Sequence, residues 1–167
     1  LGKEYSNYSI NTIKGNEFGE IWFGTNEGIL IKNREETRWF EADGSRFNEN
    51  VKAIFFESDL YVWIGSTQGT PRFRLVNDSY VLDQYHSNAN INKSEVSSFL
   101  MDGMGRIWIG YLNESIVIFD NEEFKVPDLP PTLYNISAMV NGPVDQVWIA
   151  TEGSGLFKFE LSLDTIS

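Results

Sequence analysis

Apolar residues in this chain fall in short runs bounded by turn residues, and none of the runs sustains the 3.6-residue period of a helix. The runs belong to a unit that recurs four times. At its centre stands a nearly continuous apolar stretch with a tryptophan: Gly19-Glu20-Ile21-Trp22-Phe23-Gly24, Leu60-Tyr61-Val62-Trp63-Ile64-Gly65, Gly105-Arg106-Ile107-Trp108-Ile109-Gly110 and Asp145-Gln146-Val147-Trp148-Ile149-Ala150. A half-exposed strand alternates apolar and polar positions, so a continuous run predicts a strand buried on both faces. The tryptophans lie about forty residues apart, and a period of that size marks a repeat architecture.

Around this central strand B the unit reads as four strands. Strand A spans Ile10 to Lys14, Val51 to Glu57, Val96 to Met101 and Ile136 to Val140. A tight turn follows, clearest in Asp102-Gly103-Met104-Gly105, where an opening aspartate and a closing glycine suit type I geometry. Its equivalents are Asn16 to Gly19, Glu57 to Leu60 and Gly142 to Asp145. Two positions beyond each tryptophan a small residue (Gly24, Gly65, Gly110, Ala150) leaves room for a neighbouring sheet. Strand C begins at Gly28, Gly69, Ser115 and Gly155, and its leading glycines suit a turn with positive φ. Strand D, at Thr37 to Ala42, Tyr80 to Tyr85 and Glu123 to Val126, is polar, as an outer edge should be. The fourth unit shows no strand D, and residues 3–8 are expected to supply it as an offset outer strand.

Four-stranded antiparallel sheets, each buried on both faces and repeated at this period, predict an all-β fold, a β-propeller of four blades. The blades span about 9–43, 50–86, 95–127 and 135–161, within one domain covering 1–167. A β-sandwich of short strands offers no reason for the repeat. A closed four-blade ring, half of a dimeric eight-blade ring and a fragment of a larger propeller all stay open, with the dimer and the fragment preferred. An open array exposes the apolar faces of its end blades, which predicts a homodimer through those edges.

The pattern Asp-x-x-Gly-x-Ile-Trp-Ile-Gly, carried by Asp102, Gly105, Ile107, Trp108, Ile109 and Gly110, followed by Thr-x-x-Gly-Leu at strand C, resembles the two-component-regulator propeller repeat. The structural motif is repeated at Trp22, Gly24, Trp63, Gly65 and Trp148. The resemblance implies a periplasmic sensor propeller of a bacterial two-component system, engaged in signal transduction and carbohydrate or nutrient sensing, without catalytic residues. Leu60, Thr70-Pro71, Tyr111, Ser115 and Ala150 depart from the pattern, chiefly in the turns after strand B, where recognition is expected.

Composition narrows the classes. A formal charge of −11 repels phosphate backbones and anionic lipid surfaces, so neither nucleic acid nor membrane is an expected partner. No apolar run reaches the ~20 residues of a spanning helix. The absence of cysteine removes thiolate chemistry and disulfides. Leu1-Gly2-Lys3 has neither initiator methionine nor signal-peptide core, as in a mature product, a designed chain or a proteolytic piece.

Candidate chemistry is sparse. His86, the single histidine, lacks a cysteine or second histidine as partner and reads as a surface loop residue. Glu27, Glu114 and Glu152 occupy equivalent turns, so an acidic rim is a better reading than a glycosidase pair, although a glycan-active enzyme on the same scaffold is the alternative function. A protein-interaction propeller is the second. The Asp102 turn lacks the ligand pattern of a calcium loop, so no metal or cofactor is expected. Asn7, Asn77, Asn92, Asn113 and Asn135 each begin an Asn-x-Ser sequence. Trp39, Tyr111 and Tyr134 are aromatics outside the repeat pattern. For a small oligosaccharide, aromatic rings for stacking and amides or charges for hydroxyls suggest a recognition set of Tyr111, Asn113, Tyr134, Asn26, Gln68, Arg46, Asn48 and Glu152.

Overall fold

The structure, a computed structural model, describes residues 5, 7–87, 95–143, 145–161 and 165–166. The fold is all-β, with eighteen strands in four sheets and no α-helix among the described residues. The chain divides into two compact units, Leu1–Lys93 and Ser94–Ser167, where length alone predicted one domain.

In the first unit, β1 (Ile10–Gly15), β2 (Ile21–Thr25), β3 (Gly28–Lys32) and β4 (Thr37–Trp39) form an antiparallel meander. The outer strand expected over Thr37 to Ala42 is divided at Phe40. This residue turns inward, its N–H donating to the Ile29 carbonyl at 2.8 Å and its ring packing against Trp22, Phe73 and Tyr80. The chain then makes a hairpin, β5 (Glu41–Ala42) and β6 (Ser45–Arg46), around Asp43 and Gly44, both with positive φ. The hairpin joins the next sheet, built from β7 (Val51–Phe56), β8 (Tyr61–Ser66), β9 (Gly69–Val76) and β10 (Ser79–Ser87), where β5 runs parallel to β10. That sheet therefore has six strands rather than the four expected.

The second unit holds β11 (Val96–Met101), β12 (Ile107–Tyr111), β13 (Ile116–Asp120) and β14 (Glu123–Lys125), then β15 (Ile136–Gly142), β16 (Gln146–Thr151), β17 (Gly155–Glu160) and β18 (Thr165–Ile166). The last sheet takes its outer strand from Thr165–Ile166, which pairs with Glu160 and Phe159. Of residues 3–8, expected in that place, Tyr8 instead lies edge-on to Trp39 of the first sheet, 5.2 Å between centroids. Residues 1–4 and 6 lie outside the described residues.

Within each unit the two sheets pack face to face. Trp22, Ile29, Ile31 and Phe40 of the first meet Val51, Ile54, Val62, Ile64 and Phe73 of the second. Trp108, Ile116 and Ile118 likewise meet Ile136, Val147, Ile149 and Phe159. A bulge near the start of every A strand brings the residue before it onto the face used by the residue three later, so Val51 and Ile54 share one core. The small residue after the tryptophan has the role expected of it. A Cβ at Gly24 would lie 2.7 Å from Val51, and one at Gly110 would lie 2.6 Å from Ile136.

Each deeply buried indole also satisfies its N–H with an acid from the A–B turn: Trp22 with Glu20 at 3.0 Å, Trp63 with Glu57 at 2.7 Å, Trp108 with Asp102 at 2.7 Å. In the fourth sheet Gly142 stands where Asp102 stands in the third, and Trp148 is half-buried. Of the glycines leading strand C, Gly28 and Gly155 have the expected positive φ, whereas Gly69 does not.

Gly110→Ala should destabilise the protein by about 1–3 kcal/mol in urea denaturation, because the added methyl overpacks against Ile136. Gly103→Ala, with nothing nearer than 3.8 Å, should change the midpoint little.

Candidate functional site

The β5–β6 hairpin interrupts the repeat, and a cleft of about 250 Å³ opens beside it in the first unit. Phe47, Pro71 and Phe73 give it apolar walls, Leu82 and Tyr85 project from β10, and Arg46, Asn48 and Glu49 bring polar groups. Two of the expected recognition residues, Arg46 and Asn48, thus share one site. Arg46 is held firmly: its guanidinium stacks over Trp39 at 3.4 Å, and Nη2 donates to the Glu27 carbonyl at 2.8 Å. Trp39, singled out as an irregular aromatic, is consequently engaged by Arg46 and by Tyr8.

Tyr85 is the residue that sequence reasoning missed. Its ring lies over Gly69, where a Cβ would come within 2.6 Å of Cζ, so that glycine serves the seating of an aromatic ring and not a turn. The phenol donates to the Gln68 carbonyl at 3.2 Å, which brings Gln68 to the edge of the cleft. Burial, then the charge of Glu49, pushes the Tyr85 phenol above its ordinary value of 10.0. The Glu49 carboxylate in turn accepts from the Ser66 hydroxyl. His86, expected on a loop, is instead in β10 opposite Thr70, half-buried, and burial lowers its pKa below 6.5. Asn26 sits apart from the cleft, its Oδ1 accepting from the Ser9 N–H at 2.9 Å.

The remaining candidates gather in the second unit, around Asn135. Its Oδ1 accepts from the Asn113 N–H at 2.6 Å, its carbonyl accepts from the Glu152 N–H at 2.9 Å, and its own N–H donates to the Glu114 carbonyl at 3.0 Å. Asn113, Asn135, Glu152 and the exposed Tyr134 therefore lie close together. Asn135 occupies the position before strand A that Ser9, Asn50 and Glu95 occupy elsewhere, each accepting at its carbonyl from the turn after strand B. Tyr111 is the exception: its side chain is fully buried in the core, so it does not present a surface for a ligand. Its large ring fills space at the end of β12, where the other units have threonine or serine.

Asp102 has the pKa of a structural group. Burial pushes its carboxyl up, but hydrogen bonds from Trp108, from the Arg106 side chain, and from the Arg106 and Met104 N–H groups outweigh it, and the net direction is down from 3.8. Its oxygens are committed to the turn and the indole, which leaves no open coordination position. Among the described residues no group of three or more His, Cys, Asp or Glu side chains is placed to hold a metal ion.

No protein-family model matches the chain, and no curated protein matches it. Solved structures do. The extracellular domain of the hybrid two-component system BT3049 from B. thetaiotaomicron superposes with a TM-score of 0.74 at 22% identity, covering 95% of this chain and 22% of that one. The extracellular domain of hybrid two-component system BT4673 from the same organism gives 0.67 at 16% identity, with 89% and 21% covered. A luciferin-regenerating enzyme is more distant, at 0.57 and 12% identity, with 89% and 55% covered. The chain thus has the fold of a segment of two-component extracellular domains and spans about a fifth of their length. No helix among the described residues is long and apolar enough to cross a membrane.

Two outcomes test these assignments. Tyr111→Ala should cost about 3–5 kcal/mol in denaturant unfolding, as for other large buried rings. The depressed pKa of Asp102 stabilises the folded state fully above its ordinary value of 3.8, and that contribution is lost as the pH falls through the folded-state value. The melting-temperature gap between wild type and Asp102→Asn should therefore be widest near neutrality and narrow below about pH 4.

Proposed function

We propose that the chain is a non-catalytic sensory segment of a bacterial two-component signalling protein, held outside the cytoplasm, built of β-propeller blades, and able to take a small oligosaccharide in the cleft beside Tyr85. The observation that carries this reading is the shared fold over nearly the whole chain with extracellular domains of two-component systems. The chemistry of the cleft supports the ligand class. Tyr85 and Leu82 offer exposed apolar surface on which a sugar ring can stack, while Asn48, Glu49 and the immobilised Arg46 supply acceptors and donors for hydroxyls. The hairpin that shapes the cleft departs from the repeat, and local departures on a uniform scaffold are where specificity is placed.

The test is a calorimetric titration of the chain with a panel of neutral and acidic di- to hexasaccharides. At least one should bind, and Tyr85→Ala should weaken it about tenfold, ~1.4 kcal/mol, while the free protein keeps its wild-type circular dichroism. No binding across the panel, or binding indifferent to Tyr85 and Asn48, would remove the cleft from the account. Hydrolysis of a bound glycan would replace the sensory reading with an enzymatic one.

A further inference from the structure

In a chain with 24 acidic against 13 basic residues, an arginine readily finds a carboxylate. Arg38, Arg72, Arg74 and Arg106 each have one within 4.0 Å. Arg46 differs: among the described residues no carboxylate lies within ion-pair distance of it. Glu41 stands directly across the β5–β6 hairpin, yet the guanidinium turns to the ring of Trp39, 3.4 Å from its centroid, and to the Glu27 carbonyl, 2.8 Å from Nη2. The ring and the backbone carbonyl are both neutral. Arg46 is therefore fixed in place without being neutralised, and the bond to Glu27 leaves most of the guanidinium N–H donors open.

That combination suits an anion. The rotamer freedom a long side chain gives up on meeting a ligand is here lost on folding, and the planar guanidinium fork matches the two oxygens of a carboxylate. Arg46 is also the single basic side chain among the described residues lining the cleft. Asp43 and Glu49 line it too, each already accepting a hydrogen bond, from the Leu82 N–H at 3.1 Å and from the Ser66 hydroxyl. We infer that the oligosaccharide taken in this cleft is acidic, with a uronic acid whose carboxylate pairs with Arg46. The inference rests on the reading of the cleft as the ligand site and adds the chemical class of the ligand. The formal charge of −11 does not forbid it, because at physiological salt exposed charges more than about 8 Å apart are largely screened, whereas the guanidinium acts at contact. Asp43 and Glu49 are nearer and oppose a second anionic group, which favours one uronic acid among neutral sugars over a run of them.

The test is a calorimetric titration of the 167-residue chain, at neutral pH and physiological salt, with di- and trisaccharides in which glucuronic or galacturonic acid is linked to neutral sugars. Each is set against the same compound with its carboxylate reduced to a hydroxymethyl group. In at least one pair the acidic member should bind about tenfold tighter than its reduced counterpart. Arg46→Gln should bring that ratio close to one, while Arg46→Lys, which keeps the charge but not the fork, should retain part of it. Both variants should keep the wild-type circular dichroism, since Arg46 is exposed. Reduced members that bind as tightly as the acidic ones, or a preference that survives Arg46→Gln, would overturn the inference and leave the cleft a sugar site. If no acidic member binds although a neutral sugar does, the inference falls alone; if nothing binds, the reading of the cleft falls with it.

Discussion

A sheet that is apolar on both faces cannot stand alone in water, and this constraint governs the chain. The central strands β8 and β12 are buried almost along their whole length, with no alternation of exposed positions. The face-to-face packing of two sheets within each unit covers one face of each. The small residue after each tryptophan follows from the same requirement. At Gly24 and Gly110 the next sheet approaches so closely that a single methyl group would collide with it. Burying a tryptophan at that junction also buries a polar N–H, which needs an acceptor to avoid the cost of desolvation. Glu20, Glu57 and Asp102 supply it from the preceding turn, so the acid of the turn and the ring of the strand form one device.

The second sheet elaborates the device. Arg72 is buried with its guanidinium 5.5 Å from the Trp63 ring, within 3.6 Å of Glu57, and hydrogen-bonded through Nε to Asp83 at 2.7 Å. A buried cation is tolerated there because two carboxylates and two aromatic rings surround it. In the fourth sheet the device is incomplete: glycine replaces the acid, alanine replaces the glycine, and the ring is only half-buried. The fourth sheet thus departs from the other three in its chemistry.

Much of this was legible in the sequence because burial on both faces leaves a continuous apolar run, and a repeat reports the same constraint four times over. The A, B and C strands, the turn opened by Asp102 and the purpose of Gly24 and Gly110 all follow from that signal. What escaped were features decided by single tertiary contacts. Phe40 looked like part of an outer strand, yet the ring is drawn between Trp22 and Phe73 and sends the following residues into the next sheet. Tyr111 looked like a surface irregularity because it replaced a small polar residue, whereas it fills the core. The outer strand of the last sheet is only Thr165–Ile166, too short to register as a pattern. The candidate site was half legible: Arg46 and Asn48 do meet in a cleft, but Tyr85 was hidden among the alternating residues of an ordinary edge strand.

The cleft beside the hairpin inherits its rigidity from this packing, since Phe47 and Phe73 belong at once to its wall and to the aromatic cluster around Phe40. The proposed recognition cleft thus rests on the aromatic cluster of the first unit, while the ring of Tyr85 stays partly exposed. The central claim, that burial of both sheet faces about the tryptophan strands holds the protein together, is tested most directly by native-state hydrogen exchange. The amides of Val62–Ile64 and Ile107–Ile109 should exchange slowest, at the rate set by global unfolding, with those of β4 and β14 among the fastest. Edge strands protected as strongly as β8 and β12 would contradict it.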